Sequence, residues 1–269
     1  MKPIHHKAKK RFGQNFLHDP TVIDRIVACI NPKSGDNLIE IGPGPGALTQ
    51  PVLKKAGAMR VIELDREVIP KLKMFCLGDG DLDVIESDAL NIDFTEFADK
   101  PQSLRVIGNL PYNISTPLMF HLFQQIEVIK DMHFMLQKEV VQRLVAVPGT
   151  KSYGRLSIMA QYYAKPELMF IVKPGAFNPP PKVDSAIIRL TPKQPHEIIP
   201  TDVELMNKVV TGAFSLRRKT LRNSLKSFLN EADFAALDIS MKARAEELTP
   251  EQFISITNYL VQQKQTRSS

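Results

Sequence analysis

Five short apolar runs, Asn37–Ile41, Met59–Leu64, Leu82–Ile85, Leu104–Gly108 and Met132–Leu136, recur through the first half of the chain. Helical periodicity follows Ala47, Arg66, Thr116 and Gln137, so short strands and helices take turns. Each apolar run has the pattern of a strand buried on both faces. A chain built this way has few solutions, and the expected class is α/β: a parallel sheet with helices on both sides. Asp19-Pro20 is expected to start an earlier helix carrying Val22, Ile23, Ile26, Val27 and Ile30, which Asn31-Pro32 ends. Leu168–Val172 and Val183–Leu190 read as a closing pair of strands.

Between Thr191 and Pro200 no apolar periodicity survives, which marks a boundary. Beyond it only helices are expected: one from Thr201-Asp202 toward Phe214, one carrying Leu216 to Leu229, and one that Thr249-Pro250 caps, ending near Val261. The division is therefore residues 1–195 as the α/β domain with a basic N-terminal arm, and 196–269 as a small all-helical accessory domain. So short a helical segment is marginal alone and is expected to dock on the first domain.

Lys plus Arg number 35 against 29 acids, and the isoelectric point is near 9.2, so the surface attracts polyanions. From Met1 to His18 there is no acid, while Lys9, Lys10 and Arg11 crowd together; this is either a solvated tail or an arm that closes over phosphates. Cys29 and Cys76 form no CxxC pair, which suits buried thiols in a reducing compartment and no metal. No run approaches the roughly 18 apolar residues of a membrane span, so no membrane partner is expected and the chain reads as cytoplasmic.

The strand Asn37–Ile41 runs into Gly42-Pro43-Gly44-Pro45-Gly46-Ala47, and the next strand places Glu63 about twenty residues later. This is a first βα turn followed by an acid set for a ribose diol, as nucleoside cofactors require. Gly42, Gly44 and Ala47 also satisfy GxGxxA, so a nicotinamide dinucleotide competes with S-adenosylmethionine. A pyrophosphate needs backbone N–H groups at the turn, and Pro43 and Pro45 remove two of them. S-adenosylmethionine carries no phosphate and asks only for close backbone approach, which the glycines permit. A tight turn without any ligand is the plain alternative. Asp88, in Ser87-Asp88-Ala89 after the third strand, can accept from the adenine amine, with room left by Ala89.

The fourth strand ends in Asn109-Leu110-Pro111-Tyr112. Adenine's exocyclic amine is a poor nucleophile because its lone pair is delocalised into the ring. Two acceptors aimed at its two N–H bonds rehybridise it, and the Asn109 side-chain oxygen and the Leu110 carbonyl suit that task, with Pro111 holding the turn. Tyr112 can stack on the base once it has left its own stack. Transfer then depends on alignment of amine, methyl and sulfur rather than on a strong base. The competing reading is a plain turn with a buried tyrosine. A second turn, Phe177-Asn178-Pro179-Pro180-Pro181-Lys182, leads into a strand, and Phe177 is placed on the opposite side of the aromatic slot; otherwise it is a ring packed under a rigid loop.

In chain order, Arg11-Phe12-Gly13-Gln14-Asn15-Phe16-Leu17, Glu40-Ile41-Gly42-Pro43-Gly44, Ile62-Glu63-Leu64-Asp65, Asn109-Leu110-Pro111-Tyr112-Asn113-Ile114-Ser115 and Pro180-Pro181-Lys182-Val183-Asp184-Ser185 resemble the bacterial small-subunit ribosomal RNA adenine dimethyltransferases, the kasugamycin-sensitivity enzymes. The likeness runs from about Arg11 to Tyr259. It implies a Rossmann-like S-adenosylmethionine-dependent methyltransferase domain followed by a small helical one. It further implies that two methyl groups pass to each of two adjacent adenosines in the 3′-terminal hairpin loop of 16S rRNA, within the immature small subunit. By matching positions, Asn15 and Leu17 border the methionine and adenosine parts of the cofactor. Gly42 lines the loop, Glu63 meets the ribose, Asp88 the adenine amine, and Asn109 both cofactor and target. The roles of Asn15 and Leu17 rest on the resemblance alone. No metal and no obligate protein partner are implied.

Arg217, Arg218, Lys219, Arg222 and Lys226 are expected on one helix whose other face offers Leu216, Leu221, Leu225 and Phe228. A charge run is usually a solvated face, but in an accessory domain of an RNA enzyme it can follow phosphates without reading bases. RNA shape and the adenines that can be flipped then set specificity. Two other functions remain open: a non-catalytic RNA-binding assembly or transcription factor of the same fold, and a large-subunit RNA adenine methyltransferase. DNA adenine methylation fits less well with Leu110 in its position.

Overall fold

The computed structural model describes residues 15–111, 114–216 and 218–268, with Arg267 and Ser268 as backbone alone. A seven-stranded sheet forms from β2 (Asn37–Ile41), β3 (Ala58–Glu63), β4 (Asp81–Glu86), β5 (Leu104–Asn109), β6 (Ile129–Gln137), β7 (Ala164–Val172) and β9 (Ser185–Pro192). Its order is β4-β3-β2-β5-β6-β9-β7. Strands β2 to β6 pair in parallel, and β9 runs antiparallel to β6. Chain order reverses at β2, where neighbours on the two sides leave in opposite directions, so a crevice opens at the carboxyl ends there. A two-residue pair, β1 (Phe16–Leu17) with β8 (Phe177–Asn178), forms a second small sheet.

All seven strands expected from the apolar runs are present, with bounds moved by a few residues. The centre is as dry as their composition demands: Ile39, Val61, Val106, Ile107 and Phe134 are fully shielded. β4 departs from this. It alternates between exposed and half-buried because it is the last strand of the sheet and covers only one face. Helix α1 (Pro20–Ile30) leads into β2, the crossovers between parallel strands carry α2 (Thr49–Ala56), α3 (Ile69–Phe75) and α4 (Ser115–Phe123), and α5 (Lys138–Leu144) follows β6. Asp19 caps α1 by accepting from the Thr21 and Val22 amides at 2.9 and 3.2 Å, a cap worth about 1 kcal/mol. The helix stops at Asn31, in the left-handed region at φ 48°, and buries Ile26, Val27 and Ile30.

Residues up to Val141 together with Pro166–Pro192 form one compact unit, and Gln142–Lys165 together with the residues from Lys193 onward form the other. One seam thus lies three residues before the expected cut at 195, but α6 (Arg155–Tyr163), which precedes that cut, also falls in the helical unit. The reason is packing: Tyr153, just before α6, donates to the Leu248 carbonyl at 2.9 Å and meets Phe214 edge-on at 6.4 Å. Phe214 in turn lies 6.2 Å from Phe253.

The helical unit also holds α7 (Val203–Ser215), α8 (Leu221–Ser224), α9 (Glu231–Ala236) and α10 (Pro250–Ser268). The expected helix from Leu216 to Leu229 is not continuous. Helix α7 ends at Ser215, Thr220 is extended, and α8 covers four residues. The amides of Leu221 and Arg222 donate to the carbonyls of Ala243 and Met241, at 2.8 and 3.2 Å, in place of partners one helical turn back. Tertiary hydrogen bonds have overridden local propensity here. Leu221, Leu225 and Leu229 are still buried, whereas Leu216 is 49% exposed.

Candidate active site

Parallel register brings four loop ends to one edge of the sheet. Ile41 lies beside Ile62, Glu40 beside Ile107, and Glu63 beside Glu86, so Gly42, Glu63, Asp88 and Asn109 emerge in one row. Above them is a cavity of about 350 Å³, within the span of roughly 300–1,000 Å³ that ligand clefts take. Its wall contains every cofactor residue expected from the sequence: Asn15, Leu17, Gly42, Glu63, Asp88 and Asn109. Leu110 and Pro111 line it too.

The glycine turn is closed to phosphate. The amide of Gly42 donates to the Ile62 carbonyl at 2.9 Å, that of Gly44 to Glu63 Oε2 at 3.1 Å, and that of Gly46 to the Pro43 carbonyl at 3.1 Å. Pro43 and Pro45 have no amide hydrogen. Every N–H from Gly42 to Gly46 is thus absent or spoken for, and a pyrophosphate finds no cradle there. Gly44 has φ +54°, and a Cβ on it would stand 3.1 Å from the Phe16 ring, so the turn and the segment crossing above it are fitted to one another.

Electrostatics agree. The wall carries the carboxyl groups of Glu40, Glu63 and Asp88, and no Lys, Arg or His among the described residues. Such a surface offers a pyrophosphate no positive partner, whereas a ligand bearing a sulfonium and an ammonium finds acceptors on it. Glu63 is 7% exposed and accepts from the amides of Gly44 and Asp65 at 3.1 and 2.8 Å. Burial pushes its carboxyl above the usual range, and those two amide bonds pull against the rise without cancelling it. Asp88 uses Oδ1 to accept from the Leu90 amide at 3.0 Å, leaving Oδ2 for a ligand amine. The residues present therefore fit S-adenosylmethionine, which supplies an electrophilic methyl group when bound.

At the end of β5, Asn109 Nδ2 donates to the Asn15 carbonyl at 3.0 Å. Only an N–H can face that carbonyl, so the contact settles the orientation of the amide and leaves Oδ1 as its acceptor end. The Leu110 amide donates to the Met135 carbonyl at 3.1 Å, which anchors the turn to β6. Asn109 and Leu110 are thus fixed on adjacent positions of the cavity wall.

Phe177 is 3% exposed, pairs with Leu17 in the small sheet, and belongs to the same apolar cluster as Val172, Ala176 and Ile187. It is not among the residues that line the cavity. Tyr112, Lys9, Lys10, Arg11 and Arg217 lie outside the described residues. Arg218, Lys219 and Arg222 are exposed, but on a turn and a four-residue helix rather than on one continuous helical face. Arg222 is bonded to Glu231.

Glu40 and Phe16 are among the wall residues that had no assigned part. Glu40 could have been found as the one charged residue inside a strand otherwise apolar toward its end, and Phe16 as an aromatic between two expected cofactor contacts. Among the described residues, no cluster of three His, Cys, Asp or Glu side chains could hold a metal ion.

Residues 5–262 match the family model described as Ribosomal RNA adenine dimethylase. A relative from Marinomonas sp. (strain MWYL1), named Ribosomal RNA small subunit methyltransferase A, is 53% identical over 262 residues, covering 96% of this chain and 97% of its own. Among solved structures, a dimethyladenosine transferase from Plasmodium falciparum superposes with a TM-score of 0.80 at 29% identity, over 93% of this chain and 98% of that one. The 23S rRNA methyltransferase ErmE shares the fold, with a TM-score of 0.70 at 24% identity over 92% and 100%. With an acid-walled cavity beside a paired-acceptor turn, and kinship across nearly its whole length, the chain belongs to the ribosomal RNA adenine dimethylase family of S-adenosylmethionine-dependent methyltransferases.

Proposed function

We propose that this enzyme dimethylates N6 of two adjacent adenosines in the 3′-terminal hairpin loop of 16S rRNA, in the immature small subunit and in the cytoplasm. The observation that carries the reading is the amide of Asn109, fixed by Asn15 with its oxygen end available, at the rim of a cavity walled by carboxyl groups. In this reading Asn15 and Leu17 border the methionine and adenosine parts of the donor, Gly42 lines the loop beside it, Glu63 accepts from the ribose hydroxyls, and Asp88 from the adenine amine. Asn109 Oδ1 and the Leu110 carbonyl accept from the two N–H bonds of the target amine, and Pro111 keeps the carbonyl aimed inward. This shifts electron density onto the nitrogen as it attacks. The methylated amine then loses its proton to water. Tyr112 stacks on the flipped base. Phe177 is assigned to the opposite face of that aromatic slot.

The substrate is held by a second set of residues. Arg218, Lys219 and Arg222, with Lys9, Lys10, Arg11 and Arg217, run along phosphates and supply affinity rather than sequence recognition. No helix among the described residues is long and apolar enough to cross a membrane. The test is to incubate the protein and S-adenosylmethionine with immature small subunits and, separately, with large subunits. Mass spectrometry of digested RNA is then scored for N6,N6-dimethyladenosine and its position. Two neighbouring dimethyladenosines near the 3′ end of 16S rRNA are expected; label confined to large-subunit RNA refutes the assignment.

A further inference from the structure

Three carboxyl groups line the cavity, and the proposed function employs two. The third, Glu40, stands one residue before the end of β2, only 1% exposed and yet part of the wall beneath the glycine turn. A carboxylate in that position costs free energy unless something positive faces it. Its hydrogen-bond partner is Thr49, the first residue of α2, whose hydroxyl donates to Oε2 at 2.6 Å. Around it, β3 contributes Glu63 and the apolar Val61, β5 the apolar Ile107, and the end of α3 Cys76. Asp79 and Lys54 act on Cys76, a layer further out. Burial, and then the Glu40 charge, push the Cys76 thiol up to about 12, so it stays neutral. Among the described residues, no Lys, Arg or His acts on it as a counter-ion. Burial, reinforced by the Glu63 charge and opposed by the Thr49 bond, pushes the Glu40 carboxyl up to about 8.

We propose that Glu40 is a proton-linked counter-charge for the methyl donor: it releases its proton to solvent when the sulfonium cofactor enters, and recovers one when the uncharged thioether product remains. The inference rests on reading the cavity as the cofactor site. Its chemistry balances: a neutral carboxyl and a cationic ligand become a carboxylate beside that cation plus one solvent proton. Methyl transfer removes one positive charge from the ligand, so the carboxylate loses its partner and is protonated again. The enzyme thereby holds the donor more tightly than the product, using a group that touches neither RNA nor the target amine. Below the free-state value of about 8, donor affinity rises with pH because the proton must leave on binding, and above it the rise ends.

The test is isothermal titration calorimetry of the full chain with S-adenosylmethionine and with S-adenosylhomocysteine, in two buffers of different ionisation enthalpy. The donor's own amino group titrates near pH 8, so wild type is compared with Glu40→Gln. Near pH 7 the wild type is expected to release about one proton more than the variant on binding the donor. Its affinity advantage over the variant should grow about twentyfold from roughly pH 6.5 to 8.5. With the product, that advantage should change less than about threefold. Thr49→Val keeps the carboxyl and deletes the donor that favours its ionised form, so proton release should move upward by roughly one pH unit; this arm stands if Glu40→Gln fails to fold. Equal proton release by wild type and Glu40→Gln, or equal pH dependence for donor and product, overturns the inference and leaves the cofactor site standing. Failure of the wild type to bind either ligand overturns both.

Discussion

Replacing Asn109 by Ala separates two effects that the proposed function places on one side chain. In that proposal the oxygen end is one of two acceptors for the target amine, and removing one preorganised hydrogen-bonding group that acts in the transition state typically lowers kcat by about 10²–10³, or roughly 2.7–4 kcal/mol. The nitrogen end donates to the Asn15 carbonyl at 3.0 Å. Losing that bond removes about 0.5–1.5 kcal/mol of net stabilisation from the segment over the cavity, which is roughly a two- to twelvefold loss of cofactor affinity. At saturating donor the first effect remains and the second vanishes. The assay is tritiated methyl incorporation into immature small subunits across donor concentrations, alongside calorimetric donor binding. Asn109 is half-buried at a strand end, so the melting temperature should move by no more than about 3 °C. A variant whose kcat stays within about threefold of wild type, with binding intact, refutes the amine-gripping role.

Other perturbations follow from local geometry. A Cβ at Gly108 would stand 2.5 Å from the Ile41 carbonyl, between two paired central strands, so Gly108→Ala should cost about 1–3 kcal/mol; an unchanged urea midpoint counts against that packing. Burial acts to raise the Asp131 carboxyl, but its bonds to His133 and Arg105 outweigh it and hold the group below the usual range. That depressed value contributes stability above about pH 4, lost as pH falls through the folded-state value, and Arg105→Leu should weaken the acid dependence of unfolding. Identical acid limbs in denaturant titrations of the two proteins contradict this. In the helical unit, Arg218→Glu should weaken binding to small subunits with a shallower salt slope, while Arg222→Ala should do less because Arg222 is bonded to Glu231. Equal losses from both changes argue against that division.

The α/β class was legible because strands buried on both faces need unbroken apolar runs, and β2, β3, β5 and β6 have them. That Asn109, Leu110 and Pro111 would reach the cavity wall was legible because they follow the end of a parallel strand. Glu63 and Asp88 were visible as acids at strand ends, since parallel register carries all such ends to one edge. Where a property depended on distant partners, the sequence was silent or misleading. Leu216–Leu229 has the apolar spacing of a helix, yet the carbonyls of Met241 and Ala243 capture its amides. The burial of Phe177 beside Leu17 depends on the β1–β8 pairing, which joins segments about 160 residues apart and is invisible in either one.

By itself, then, the order of residues determined the layers of the sheet, the glycine turn too poor in amide hydrogens for phosphate, and the pair of acceptors offered to an amine. These are matters of periodicity and of which atoms each residue carries. Tertiary structure alone decided that a carboxyl inside β2 would line the cavity, that Asn15 would turn the Asn109 amide the right way, and that Gln142–Lys165 would fall in the helical unit. Burial, desolvation and hydrogen bonding between segments far apart in the chain come into being only on folding, and no stretch of sequence carries them in advance.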